Sequence, residues 1–133
     1  MDGNKVMVFE SFAKKAAAKI EARKKMRTEK IYVGDLDETI EIRAVTDQEV
    51  QDCIEFSNLD IEQDKYMIYL ASKTLQDLAD EMVKQGLIEK HLEVMEMFSA
   101  VDRRALSKEI LSFSGFNDES TVKPIQELDE VKN

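Results

Sequence analysis

At 133 residues the chain is long enough to bury one core and too short for two. Charged residues make up 35% and apolar ones 43%, with 4 Gly and 1 Pro, a balance that favours helix over sheet. The single cysteine, Cys53, excludes an internal disulfide, and no apolar run approaches the roughly 20 residues of a bilayer crossing, the longest compact one being Tyr66 to Ala71. No basic start followed by an apolar run of signal-peptide length is present, so the expected location is intracellular.

The net charge of −9 is unevenly distributed. Residues 14–30 hold eight basic side chains (Lys14, Lys15, Lys19, Arg23, Lys24, Lys25, Arg27, Lys30) against Glu21 and Glu29, an excess of +6, whereas residues 31–133 carry 24 acids and 10 bases. A basic arm facing an acidic body predicts contact between the two, within one chain or between copies in a homo-oligomer. Nucleic acid is the weaker partner for the arm, because the acidic remainder repels phosphate and no aromatic is interleaved with the lysines to stack bases.

In chain order, Phe9, Phe12, Ala13, Ala16 and Ile20 trace a thin helical stripe over residues 9–27, in a segment rich in alanine and lysine. Ile31, Val33, Ile40 and Ile42 alternate with other side chains around the Gly34–Glu38 turn and predict a β-hairpin. Thr46 with Glu49 forms a capping box that opens a short helix through Val50, Ile54 and Phe56. After a polar break at 58–64, the run from Tyr66 to Ala71 reads as helix, with a kink near residue 73. Ser72 starts the next helix, or else Thr74 does with Asp77 as its capping-box partner, and Gly86 ends it. Ile88, Leu92, Met95 and Phe98 predict another helix, and Ser99 or Asp102 caps the last. In that last helix Leu106, Ile110 and Phe113 share one stripe, Gly115 supplies a left-handed stop, and Phe116 folds back toward Leu111. Residues 117–133 form an acidic tail in which Val122, Ile125, Leu128 and Val131 are isolated apolar positions.

Chemistry-bearing residues are scarce. His91 is the only histidine and reads as a half-exposed helix residue, and Cys53 as a small buried apolar one. No glycine pair has phosphate-loop spacing, and Asp35, Asp37 and Glu38 crowd a turn without the ligand pattern of a calcium loop. Glu93 with Glu96 and Asp80 with Glu81 read as charged helix faces. This inventory predicts no enzyme, no catalytic residue, no metal and no cofactor. Seven methionines, four of them Met67, Met82, Met95 and Met97, offer pliable apolar surface instead. Met95 and Met97 stand two positions apart, so a helix points one of them away from the core.

Three blocks, Ile40-Glu-Ile-Arg-Ala-Val-Thr-Asp-Gln-Glu49, Tyr66 through Leu78, and Leu106-Ser-Lys-Glu-Ile-Leu-Ser-Phe-Ser-Gly-Phe116, resemble in that order the XkdN-like tail assembly chaperones of phages and prophages of Gram-positive bacteria. The Lys132-Asn133 ending is similar to that family too. The resemblance implies a protein of the host cytoplasm that acts during phage tail assembly and is absent from the mature virion. It implies the tape measure protein as client, a long helical chain with exposed apolar seams, and the tail tube protein as a neighbour in the same process.

The expected molecule is a mainly α (α+β) protein, a compact helical domain with one N-terminal β-hairpin. Residues 1–29 form a basic helix or arm, 30–116 the hairpin and helical core, and 117–133 the tail. Met95, Met97, Phe98, Phe113 and Phe116 are the expected partner-binding anchors. Alternative functions are a nucleic-acid-binding phage regulator using residues 14–30 and a structural tail or connector subunit. No membrane partner is expected.

Overall fold

A sequence free of proline and rich in alanine and lysine propagates helix readily, and α1 runs from Asp2–Lys24. The computed structural model describes residues 2–25, 27–117 and 119–125, with side chains from Val8 onward. The helix starts earlier than the stripe beginning at Phe9 suggested and stops before residue 27, because the backbone must extend into β1, Thr28–Val33. Arg23 and Lys24 occupy its last turn, where cations suit the negative end of the helix dipole.

β1 pairs antiparallel with β2, Glu38–Arg43, with Ile31 opposite Ile40 and Val33 opposite Glu38. The turn uses a left-handed Asp37 (φ 51°), and the Tyr32 hydroxyl donates to Asp37 Oδ1 at 2.7 Å. Alternation buries Val33, Ile40 and Ile42 on one face, the hairpin the sequence predicts. The outer edge of β2 is closed by side chains from the helices. The Ser72 hydroxyl donates to the Glu41 carbonyl (2.8 Å), the Glu41 amide donates to Thr74 Oγ1 (3.3 Å), and Arg43 donates to the Leu70 carbonyl (3.2 Å).

α2, Asp47–Phe56, opens on the Thr46–Glu49 capping box as predicted. α3, Asp60–Ala71, begins inside the stretch expected to be a polar break, since Asp60 and Glu62 favour a helix N-terminus. Ser72 separates α3 from α4, Lys73–Lys84, and its buried hydroxyl accepts from the Leu75 amide, so Ser72 and not Thr74 is the cap. α4 stops at Gly86 (φ 74°), where the Gly86 amide reaches the Val83 carbonyl (3.0 Å) and the Leu87 amide the Met82 carbonyl (2.9 Å). A β-carbon at Gly86 would meet nothing within 4 Å. Gly86→Ala therefore isolates the backbone cost of a left-handed residue, and we expect urea denaturation to show a loss of about 1 kcal/mol, with Gly86→Asn losing less.

The segment from Ile88 to Phe98 departs from expectation. It folds as a 3-10 helix, His91–Met97, rather than an α-helix. With three residues per turn Leu92, Met95 and Phe98 fall in one row, and Met95 and Phe98 enter the core beside Val94. α5, Ala100–Phe113, is capped by Ser99, whose hydroxyl accepts from the Asp102 amide, and ends at Gly115 (φ 88°) with the Phe116 amide bonded to the Leu111 carbonyl at 3.0 Å. α3 lies at the centre, packed on α2, α4 and α5. Its Met67, Ile68 and Ala71 meet Leu75 and Ala79 of α4, Val94 and Met95, and Leu106 and Ile110 of α5 in one core. Residues 119–125 of the tail are exposed, Val122 and Ile125 included, and Leu128, Val131 and the Lys132-Asn133 ending lie outside the described residues.

Candidate partner-binding surface

The five expected anchors do not share one surface. Met95 and Phe98 are sealed in the core, at 0% and 3% exposure, which corrects their assignment as partner contacts: the 3-10 repeat turns both inward. Met97 is half-buried against the core margin. Phe113 is half-buried and already occupied, because the Arg27 guanidinium lies 5.1 Å above its ring and donates to its carbonyl at 2.8 Å. Only Phe116 is exposed, at the helix stop.

Arg27 has a positional role that its place among the basic residues did not suggest. Its carbonyl accepts from the Ala44 amide (2.9 Å) while its side chain grips the end of α5. Nearby, the Val45 amide donates to Ser114 Oγ (2.8 Å), which in turn donates to the Ile110 carbonyl. These bonds tie Arg27, three residues past the end of α1, to the end of α5 and to the residues after β2. Lys30 sits exposed on β1, so of the eight cations six remain on the helix and its end: Lys14, Lys15, Lys19, Arg23, Lys24 and Lys25. None of the six forms an ion pair among the described residues.

α1 extends about 34 Å at 1.5 Å per residue. Its last turns approach the body, where Lys19, Ile20, Arg23 and Lys24 face Ala44, Val45 and Thr46 across an open cleft of about 520 Å³. Farther from the body Phe9 is 74% and Phe12 71% exposed, with Val8 exposed as well, and Ile20 at the cleft is itself half-exposed. Phe9, Phe12, Ala13, Ala16 and Ile20 follow the i, i+3, i+4, i+7, i+11 pattern of one helix face. Two aromatics in solvent on a free helix form the kind of unpartnered apolar face that marks a contact with another chain.

A second exposed group crowds the α2–α3 corner: Ile54, Phe56, Leu59 and Ile61. Phe56 stacks on Tyr66 with ring centroids 4.6 Å apart, which holds the corner in shape.

Cys53 is buried at 2% exposure, and burial, followed by the charges of Asp52 and Glu49, pushes its thiol up to about 11, so it stays protonated. His91, with a half-exposed ring, has Nε2 2.9 Å from Asp80 Oδ1. Among the described residues no three His, Cys, Asp or Glu side chains gather closely enough to hold a metal ion, and no helix is long and apolar enough to cross a membrane. No protein-family model, curated protein or solved structure matches the chain.

Proposed function

We propose that this chain is a protein-binding chaperone that uses the apolar stripe of α1 to hold a helical client, and that the client is the tape measure protein of a phage tail. The observation that carries this reading is the exposure of Phe9 and Phe12 on one face of α1. Such a helix is a suitable surface for a long chain with apolar seams, since it offers matching i, i+3, i+4 anchors without burying them in its own core. The chain's net charge of −9 keeps a complex of two apolar surfaces dispersed. The phage assignment rests on the three-block resemblance to XkdN-like chaperones, and within that assignment the tail tube protein later displaces the chaperone, which leaves the mature particle without it.

Co-expression tests the proposal. The soluble fraction of a tape measure protein is expected to rise several-fold with the wild-type chain and to fall back to the level without chaperone with Phe9→Glu/Phe12→Glu, while Tyr32→Glu on the exposed side of the hairpin retains full effect. Equal client solubility in all arms overturns it. The six cations of residues 14–25, without ion-pair partners among the described residues, favour a second reading, a nucleic-acid-binding arm. It requires a gel shift that weakens steeply with salt and survives the Phe9 and Phe12 substitutions.

A further inference from the structure

We infer that in the absence of client α1 of one copy docks, stripe inward, on the α2–α3 corner of a second copy. The corner exposes four apolar side chains within eight residues, Ile54, Phe56, Leu59 and Ile61, by 52, 45, 64 and 55%. Acids surround it: residues 47–64 carry seven Asp and Glu and no Lys or Arg. Arg43 engages Glu49, Arg104 reaches Asp60 and Asp64, and Lys65 reaches Glu62, whereas Asp47, Asp52 and Glu55 hold no ion pair among the described residues.

α1 supplies the complement on both counts. Its stripe brings Phe9, Phe12 and Ile20, and Lys19, Arg23 and Lys24 lie on or beside that stripe at helical spacing. Residues 14–25, on the helix and the residue after it, carry six cations against Glu21 alone. Docking on the corner sets this positive helix against an acidic rim and covers apolar surface on both sides, the combination that gives register as well as affinity. Two α1 helices packed in parallel would instead set like charges together. The chain's own corner does not cover the stripe, because Phe9 and Phe12 stay exposed in the single copy. The contact joins two different patches, so it closes as a reciprocal exchange of arms between two copies or continues as a ring.

This inference concerns the same stripe as the proposed client site, and its test uses the chain alone, so that either can fail without the other. Sedimentation velocity of the full chain is expected to show a reversible oligomer that weakens with rising salt. Phe9→Glu/Phe12→Glu, with the arm disabled, and Leu59→Glu/Ile61→Glu, with the seat disabled, are each expected to weaken association on the order of 100-fold. Mixing the two variants restores one intact arm and one intact seat, and a 1:1 heterodimer is expected. Charge reversal at Arg23→Glu/Lys24→Glu combined with Asp52→Lys/Glu55→Lys in the mixing partner is expected to associate where Arg23→Glu/Lys24→Glu alone does not. A wild-type chain that stays monomeric at every concentration, or variants that are monomeric both alone and mixed, overturns the inference. So do variants that assemble as the wild type does.

Discussion

Leu75→Ala is expected to lower the unfolding free energy by about 3 kcal/mol, within the 2–5 kcal/mol range for deleting a fully packed leucine. Leu75 has 0% exposure and sits where α4 meets Ile68 of α3 and the Val94–Met95 segment, all of them likewise enclosed, so neighbouring side chains have little freedom to fill the space. On the same helix Leu78 is 39% exposed, and Leu78→Ala is expected to cost less than about 1 kcal/mol because over a third of its surface already meets water and its neighbours can relax toward solvent. Urea unfolding followed by circular dichroism measures both. The midpoint should fall sharply for Leu75→Ala with an unchanged denaturant slope. A single domain of this size has only about 5–15 kcal/mol to lose, so the difference is large enough to separate a core side chain from a surface one.

Arg43→Met is the second large effect expected, about 2–3 kcal/mol, because one guanidinium joins three elements through four hydrogen bonds, two of them to a mostly covered carboxylate. It donates to both carboxylate oxygens of Glu49 at 2.9 and 2.6 Å, to the Ala44 carbonyl at 3.1 Å and to the Leu70 carbonyl at 3.2 Å, tying β2 to the starts of α2 and the end of α3. Both side chains are mostly covered, at 23% and 20% exposure, so methionine would leave a carboxylate with little water and only the Thr46 cap for company. The hydrogen bonds from Arg43 hold the Glu49 carboxyl below the usual carboxylate range against the opposing effect of burial. A carboxyl whose folded value is lowered stabilises the fold above its unfolded value of about 4.3 and loses that contribution as pH falls through the folded value. Wild-type stability should therefore decline more steeply than that of Arg43→Met as pH drops below about 4.3, and the gap between them should narrow. Equilibrium unfolding of both proteins across that range checks the slope, and parallel curves would contradict the assignment.

Local signals carried most of the fold. Thr46 with Glu49, Ser72, Ser99, Gly86 and Gly115 each act within one turn of their own position, so the residue type alone announces a helix start or stop. The hairpin was readable for the same reason, since Ile31, Val33, Ile40 and Ile42 alternate about a short polar turn. The 3-10 segment was hidden because its apolar positions satisfy an α-helical pattern equally well, and only packing against α3 and α4 selects the tighter repeat. That same choice decides the fate of Met95 and Phe98, which periodicity left open between core and surface. Phe113 was unreadable for a different reason: its cover, Arg27, is 86 residues away in sequence. The stripe of α1 was visible from the start, but whether it packs on the body is a tertiary fact, and the structure answers it with Phe9 and Phe12 in solvent.

The role of that stripe as a recognition surface is best tested by placing a photo-activatable phenylalanine at position 12 of the full chain, with a control at Asp35 in the hairpin turn, in cells that also express a tape measure protein. The account predicts a covalent adduct between position 12 and the tape measure chain on illumination, with none from position 35. Capture of that client from position 35 and not from position 12, or from neither, would contradict it.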